Sequence, residues 1–134
     1  MGEMRAVFDP EHLDRMTSGD QDLQAEVLDL FRHQAELWGR LLDPQFPSDN
    51  WGDAAHTLKG AARGIGAWKL ADICQNAETL GREQKGDASE SAMVNRAVRL
   101  ALVREALDEA LNEVAHFRHK LEIEALRRPS KVAG

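Results

Sequence analysis

Cysteine is nearly absent from this 134-residue chain, in which Cys74 is the single thiol. One cysteine cannot form an internal disulfide, so the sequence favours a reducing compartment and predicts a cytoplasmic protein. Long apolar runs are also absent, since none approaches the roughly 20 residues of a membrane-spanning helix. The N-terminal residues lack the apolar segment of a signal peptide. We therefore expect neither secretion nor contact with a membrane.

Basic charge is also scarce, because 17 lysines and arginines are outnumbered by 23 acidic residues, which gives a net charge of −6. This balance argues against nucleic acid as a partner, since phosphate backbones require a basic surface. The segment 56–70 is an exception, with three cations and no carboxylate: Lys59, Arg63 and Lys69. We interpret it as a local basic surface suited to an anionic group or an acidic partner. A chance cluster on a solvated helix face is the alternative.

Proline is sparse and no segment alternates β-branched with polar residues, which favours helices over strands. Ser48 or Asp49 is the expected N-cap of a third helix, and Gly66 with Gly64 its expected end. Asp87–Glu90 is interpreted as the capping box of the last helix. The other predicted helices cover residues 10–16, about 20–42 with Pro44 and Pro47 after it, about 67–84, and a long final stretch that ends at residues 127–129.

These helices predict an all-α fold, an up-and-down antiparallel four-helix bundle with a short additional N-terminal helix. The bundle is expected over residues 10–126, between a flexible N-terminus at 1–9 and a flexible tail at 127–134.

Apolar residues at three- and four-residue spacing predict the buried face of each helix. In the second helix this stripe contains Leu23, Val27, Leu30, Gln34, Trp38 and Leu41, widened by Phe31 and Leu37. The fourth helix is expected to bury Leu70, Ile73, Cys74, Ala77 and Leu80. In the last helix the stripe contains Met93, Ala97, Leu100, Leu107, Leu111, Val114 and Leu121.

The third helix is predicted to carry an exposed histidine beside cations and a glycine. At 100° per residue, His56, Lys59, Gly60 and Arg63 share one face, opposite an apolar face of Trp51, Ala55, Leu58, Ala62 and Ile65. A neutral imidazole is a good nucleophile near pH 7. A glycine inside a helix costs about 1 kcal/mol relative to alanine, so its place beside the histidine needs a reason. Because the chain has no phosphate-binding loop, any phosphate on His56 would come from another protein.

The motif His56-Thr57-Leu58-Lys59-Gly60, followed by Ile65-Gly66-Ala67, Leu70-Ala71 and Cys74, resembles the histidine-containing phosphotransfer (HPt) domain of two-component phosphorelays. The resemblance covers residues 10–125 and is most specific over residues 51–82. It implies a four-helix bundle whose exposed histidine accepts phosphate from an aspartate of one receiver domain. That histidine then passes the phosphate to an aspartate of another receiver.

The resemblance also assigns expected roles to single residues. His56 is the phosphorylated nucleophile, Lys59 stabilises the phosphoryl group and Gly60 leaves space for it. Arg63 is assigned by its spacing and not by the resemblance: it lies further along the face of His56 and could contact the phosphoryl group, as Lys59 does, or a partner. Glu78 and Arg82 match positions where some family members place a polar residue and an arginine near the histidine. Glu78 could orient the imidazole, or it could be an ordinary solvated residue.

The expected partners are receiver domains of a hybrid histidine kinase and of response regulators. The chain is expected to be a phosphocarrier with no cofactor of its own, since the magnesium ion would lie on the receiver. No ATPase or autokinase activity is expected, because the chain has no nucleotide-binding segment. A monomer is expected, because no second exposed apolar stripe is apparent. One alternative is a helical regulator that binds receivers without phosphotransfer. Another is a metal site at His116 and His119, which one helix alone rarely completes.

Overall fold

The part of the chain that the structure describes forms five helices, and the first and last of them have a side-chain N-cap. Pro10 opens the first, because its fixed φ suits the first helical turn. The Asp9 carboxylate accepts a hydrogen bond from the His12 N–H at 3.2 Å. The computed structural model describes residues 5–40, 42 and 50–129. Its helices are α1 (Pro10–Met16), α2 (Gln21–Arg40), α3 (Asn50–Ile65), α4 (Trp68–Glu83) and α5 (Glu90–Arg127).

The four long helices surround one core in chain order, so that α2 packs on α3 and α5, and α4 packs on the same two. Ion pairs that join Asp22 to Arg128 and Asp29 to Arg118 show that α2 and α5 run antiparallel. The short α1 lies against α3. The all-α prediction with its additional N-terminal helix is confirmed. Within the described residues, no helix is long and apolar enough to cross a membrane.

Helices α3 and α4 approach closely where two glycines face each other. A Cβ on Gly81 would lie 2.9 Å from the Gly52 nitrogen and 2.9 Å from Cε3 of the buried Trp51. Side chains of any size would therefore force the two helices apart at this point. The missing side chains allow the backbones to pack directly and fix the register of α3 against α4.

The turn between α3 and α4 contains only Gly66 and Ala67. Gly66 has a φ of +84°, and a Cβ there would lie 3.0 Å from the Asp9 carbonyl oxygen. The glycine is required both by this backbone conformation and by the close passage of the N-terminal segment. The predicted turn near residue 65 is confirmed at Gly66, whereas Gly64 lies inside α3.

Residues 5–9 lie against this turn, although the sequence predicted a flexible segment over 1–9. The Ala6 carbonyl accepts a hydrogen bond from the Lys69 N–H at 3.0 Å, and the Asp9 N–H donates to the Gly66 carbonyl at 3.0 Å. Trp68 Nε1 donates to the Asp9 carboxylate at 3.0 Å. These bonds were not predictable from local composition, because their partners follow some 60 residues later. Residues 1–4 and 130–134 lie outside the described residues.

Two predicted helix boundaries differ from the structure. Helix α2 ends at Arg40 rather than near residue 42. The capping box at Asp87–Glu90 is wrong, because the N-cap of α5 is Ser89, whose hydroxyl accepts from the Ala92 N–H at 3.2 Å. Asp87 accepts from the Ser89 N–H instead and shapes the turn before the helix. Leu41, Pro44, Pro47, Ser48 and Asp49 lie outside the described residues.

The predicted buried face of α2 is only partly correct. Phe31 is buried, and Val27 and Trp38 are partly buried against the core, as predicted, but Leu23, Leu30, Gln34 and Leu37 are exposed. Gln24, Leu28 and Ala35 are buried instead. Gln24 can lie in the core because its amide donates to the Asp14 carboxylate and the Thr17 hydroxyl, both at 3.1 Å. A buried polar group is tolerated when such partners are present.

The predicted stripe of α5 is correct only beyond its first turns. Leu100, Leu107, Val114 and Leu121 are buried, Leu111 is partly buried, and Met93 and Ala97 are exposed. Ala92 and Arg96 occupy the core positions instead. The chain therefore has exposed apolar residues on both α2 and α5. The expectation of a single exposed apolar surface, on which the predicted monomer depended, is wrong.

The buried faces of α3 and α4 agree better with the sequence. All five predicted residues of α3 are buried. In α4, Leu70, Cys74 and Ala77 are buried, while Ile73 and Leu80 are partly buried. Cys74 is a core residue, as predicted, and burial raises the pKa of its thiol to about 12.

We predict that Gly81→Ala destabilises the protein by about 1–3 kcal/mol, because the added methyl group overpacks the α3–α4 contact. Urea unfolding followed by circular dichroism measures the change. Gly64→Ala is the matched control, since a Cβ there meets no atom within 4 Å and alanine should stabilise the helix by up to about 1 kcal/mol. Equal effects of the two substitutions would contradict the close approach at Gly81.

Candidate functional site

His56 projects from the second turn of α3 into solvent, and its side chain is 59 % exposed. The helical spacing predicted this exposure correctly, because the opposite face of α3 forms part of the core. Gly60, one turn further along, is also exposed, and a Cβ there would meet no atom within 4 Å. The imidazole therefore stands beside an open surface that nothing in the described residues covers.

The side chain that organises the site is Glu78 of α4. Its Oε2 lies 3.0 Å from His56 Nδ1, and its Oε1 accepts a hydrogen bond from Lys59 Nζ at 2.6 Å. Arg82 Nε donates to the same Oε2 at 3.2 Å. The Glu78 side chain is only 11 % exposed. One buried carboxylate thus joins the histidine to two cations.

Two opposing effects act on the pKa of Glu78. Burial raises it, because a charged carboxylate loses water. Hydrogen bonds from Lys59, Arg82 and His56 lower it, and together they outweigh burial, so the pKa lies below its ordinary value of 4.5. Glu78 is therefore ionised at neutral pH, despite its burial.

An ionised Glu78 determines which nitrogen of His56 can react. A carboxylate only accepts hydrogen bonds, so the neutral imidazole must carry its proton on Nδ1 in order to donate to Glu78. The lone pair then lies on Nε2, on the opposite side of the ring. Glu78 both orients the ring and leaves Nε2 with a free lone pair that can act as a nucleophile.

Lys59 is less exposed than the sequence predicted. Its side chain is only 10 % exposed, whereas the spacing placed it on the solvated face beside His56. Besides Glu78, its ammonium donates to Gln75 Oε1 at 2.8 Å. The residue lies at the border between α3 and α4, and two acceptors from α4 draw its charge inward. Lys59 neutralises Glu78 at the base of the site.

Arg82 connects the site to the N-terminal part of α3. Besides Glu78, its guanidinium pairs with the Asp53 carboxylate at 3.4 Å. Its side chain is half exposed, and Asp53 is exposed one turn before His56. Arg82 therefore lies beside the imidazole as the more accessible of the two cations that contact Glu78.

The predicted basic surface over residues 56–70 is largely absent. Lys59 is neutralised by Glu78, and Lys69 pairs with Glu109 of α5 at 2.8 Å. Arg63 is exposed and forms no ion pair with any described residue. Counting charges along one helix missed carboxylates that α4 and α5 contribute, so only Arg63 remains as a solvated cation of this segment.

Sequence reasoning missed two members of the site, Gln75 and Asp53. Gln75, Glu78 and Arg82 have the spacing i, i+3, i+7 and share one face of α4. Once Glu78 was a candidate, this spacing could have identified Gln75 as well.

His116, one of the two candidate metal ligands, contacts its own helix, because its Nδ1 lies 3.0 Å from the Asn112 carbonyl oxygen. In the described ranges no cluster of three or more potential metal ligands is present.

The sequence around this site is similar to that of a known protein family. The family model of the Hpt domain matches residues 10–117. The chain belongs to the Hpt domain family. The matched region spans α1 to α4 and much of α5, so it includes every residue of the site described above.

A solved structure supports the same assignment. The chain is similar to the histidine phosphotransferase ShpA from Caulobacter crescentus, with 39% sequence identity and a TM-score of 0.68. The match covers 90% of this chain and 99% of the ShpA chain. A comparison with functionally curated proteins finds no match. Family and relative together make this chain a histidine phosphotransfer protein of phosphorelay signalling.

We predict that Glu78→Gln removes a pH-dependent part of the stability. Because the folded-state pKa of Glu78 lies below the ordinary value of 4.5, this contribution is present above that pH and disappears as the pH falls through the folded-state pKa. At neutral pH the substitution should cost roughly 1–3 kcal/mol, since the hydrogen bonds to charged groups weaken. The difference from wild type should shrink in acid.

Urea unfolding at a series of pH values from neutral to acid measures this difference. Glu83→Gln is the matched control, because Glu83 is an exposed acid of α4 that forms no ion pair with any described residue. It should leave the pH dependence unchanged. A Glu78→Gln variant with the wild-type pH profile would contradict the inferred charge of Glu78.

Proposed function

We propose that His56 is the phosphorylated residue of this phosphotransfer protein. The observation that carries the proposal is the exposed imidazole whose Nδ1 contacts the buried, ionised Glu78 at 3.0 Å. A histidine held in this way keeps its reactive lone pair on Nε2 and directs it outward. No other histidine of the described residues contacts a buried carboxylate.

The transfer consists of an in-line attack. Nε2 of His56 attacks the phosphorus of an aspartyl phosphate on a receiver domain, the N–P bond forms, and the P–O bond to the aspartate breaks. The aspartate leaves as a carboxylate, and the Nδ1 proton stays on the ring. The ring then carries positive charge next to Glu78, whose carboxylate stabilises it. Transfer to a second receiver reverses these bonds.

Lys59 and Arg82 balance the charges that gather at this point. A phosphoryl group brings negative charge to a site that already contains Glu78. Lys59 neutralises the charge of the Glu78 carboxylate. Its ammonium group donates one hydrogen bond to Glu78 and one to Gln75, which leaves a third N–H available. We propose that Arg82, whose side chain is half exposed, contacts the phosphoryl oxygens. Arg63 is proposed to contact the partner rather than the reacting group.

The proposed partners are receiver domains of a hybrid histidine kinase and of response regulators. Leu23, Leu30 and Leu37 are exposed along one line of α2, about 100° around the helix from Asp22 and Asp29, which pair with α5. We propose that this line of leucines lies on the side of α2 toward α3 and is contacted by the same receiver that reaches His56. Exposed leucines beside a reactive side chain are typical of a docking surface.

The proposed carrier needs neither nucleotide nor metal of its own. The magnesium ion that assists phosphoryl transfer would lie on the receiver, where the aspartate is. We also propose that the carrier lacks ATPase and autokinase activity, since the chain has no phosphate-binding loop. The lone cysteine favours a cytoplasmic location.

We predict that His56→Ala acquires no label from a receiver domain that carries radioactive aspartyl phosphate, whereas the wild-type protein does. The label on wild type should be labile in acid and stable in base, as expected for a phosphohistidine. His119→Ala is the matched control, because His119 is also exposed but lies on α5. A His56→Ala variant that is labelled like wild type would exclude phosphotransfer through His56 and favour a regulator that only binds receivers.

We predict that Gly60→Leu slows labelling by at least about tenfold, because a branched side chain one turn from His56 obstructs the approach of the receiver. The helix should gain up to about 1 kcal/mol, since the glycine is removed from its interior. Rates of label uptake and urea unfolding measure the two effects. Gly64→Leu, one turn further from His56, should gain similar stability and retain more activity. Equal loss of activity in both variants would contradict a specific steric role for Gly60.

A further inference from the structure

The guanidinium group of Arg82 is divided between two carboxylates. Its Nε and Nη2 each lie 3.2 Å from Glu78 Oε2, whereas its Nη1 lies 3.4 Å from the Asp53 carboxylate. Arginine has five N–H donors and stays charged at every pH at which the protein is folded. Nη1 is therefore the nitrogen that Glu78 leaves for another anion, and Asp53 occupies it.

Helix α3 makes room for Arg82 in this position. A Cβ on Gly52 would lie 3.1 Å from Arg82 Cγ and 3.5 Å from the Arg82 backbone nitrogen. The aliphatic part of the arginine thus packs on a turn of α3 that has no side chain, and Asp53 follows directly in the sequence. Many ion pairs between solvated side chains contribute little, because both partners move freely. Here packing holds the arginine beside Asp53.

Asp53 also shares one face of α3 with His56. The two residues are three positions apart, a spacing at which the Cβ atoms of a helix are about 5–6 Å apart. The Asp53 side chain is 66 % exposed, so it lies on the surface from which a receiver reaches the imidazole. A phosphoryl group on His56 would add negative charge beside that of Asp53. Both groups then require the same nitrogen of Arg82.

We propose that Asp53 is a positioning residue of the phosphotransfer reaction, which holds Arg82 Nη1 away from the phosphoryl group. This inference rests on the proposed phosphorylation of His56. In that reaction the P–O bond of the receiver's aspartyl phosphate breaks as the N–P bond to His56 forms, and the reverse step returns the group to a receiver aspartate. Asp53 competes with the phosphoryl oxygens for Arg82 and also repels them.

Both effects of Asp53 raise the free energy of the phosphohistidine. If Arg82 were free to bind the phosphoryl group fully, it would stabilise this bound state and make the next transfer less favourable. Asp53 limits that stabilisation. The phosphohistidine thereby remains a better donor to the next receiver.

The test is the equilibrium distribution of radioactive phosphate between the full-length carrier and a receiver domain that labels wild type. Asp53→Asn removes the charge and keeps the shape of the side chain. It should shift the ratio of labelled carrier to labelled receiver about two- to fivefold toward the carrier, the range expected for one exposed ion pair. Asp53→Glu, which retains a carboxylate, should keep the wild-type ratio. An unchanged or lower ratio for Asp53→Asn overturns the proposal, as does an Asp53→Glu variant that shifts equally.

An Arg82→Ala background tests whether Asp53 acts through this arginine. In that background Asp53→Asn should cause a clearly smaller shift, because only the direct repulsion remains. A shift as large as the one in the wild-type background overturns the positioning role.

Glu83→Gln is the matched control for net charge. Glu83 is an exposed acid next to Arg82 in the sequence and forms no ion pair with any described residue. Its substitution should leave the ratio of labelled carrier to labelled receiver at the wild-type value. A shift equal to that of Asp53→Asn would show a general effect of charge and overturn the proposal.

The same experiment separates this inference from the proposed function. If wild type takes no label from the receiver, phosphorylation of His56 is contradicted, and the role of Asp53 with it. If wild type is labelled and Asp53→Asn has the wild-type ratio, only the role of Asp53 is contradicted.

Discussion

The buried carboxylate of Glu78 is the constraint on which the site depends. A charge in this position is costly, since it loses most of its water. It persists because Lys59 at 2.6 Å and Arg82 at 3.2 Å supply positive charge, and His56 supplies a further hydrogen bond. The exposed imidazole is thus held by a group that is itself fixed by burial. A solvated glutamate could not hold the ring in one orientation to the same degree.

This arrangement requires that α3 and α4 keep one register, because the site is built from both. Gly52 and Gly81 set the distance between the helices, and Gly66 allows the turn that joins them. The His56 imidazole, the carboxylate that orients it and both cations therefore belong to a single helical hairpin. The remaining helices support this hairpin and supply the surfaces on which partners are expected to dock.

The sequence was sufficient for the fold class and for the exposed face of α3. Helix α3 has one clearly apolar face that contains Trp51 and Leu58, so its orientation followed from spacing alone. Helices α2 and α5 carry apolar residues on two faces, and spacing could not decide which face is buried. In α2 the core took Gln24 and Ala35 and left Leu30 in solvent. Which face of α2 is buried depends on the fit between neighbouring helices and on the hydrogen-bond partners of Gln24, which are Asp14 of α1 and Thr17 after it.

The site was predictable only where one helix determines it. His56 and Gly60 were found from α3 alone. The burial of Lys59 could not be found in that way, because its acceptors Gln75 and Glu78 come from α4. Arg82 and Asp53 likewise pair across two helices. Resemblance to a family brought Glu78 and Arg82 into consideration, but only the register of the hairpin shows what they contact.

Cys74 lies in the core of the same hairpin, and the raised pKa of its thiol makes this residue a probe of the opening of α4. A thiol reacts as the thiolate, and at neutral pH this one is both protonated and covered. An alkylating reagent can therefore attach only while α4 is detached from the core. Because the chain has no other cysteine, the rate of alkylation reports how often the helix that holds Glu78 leaves its place.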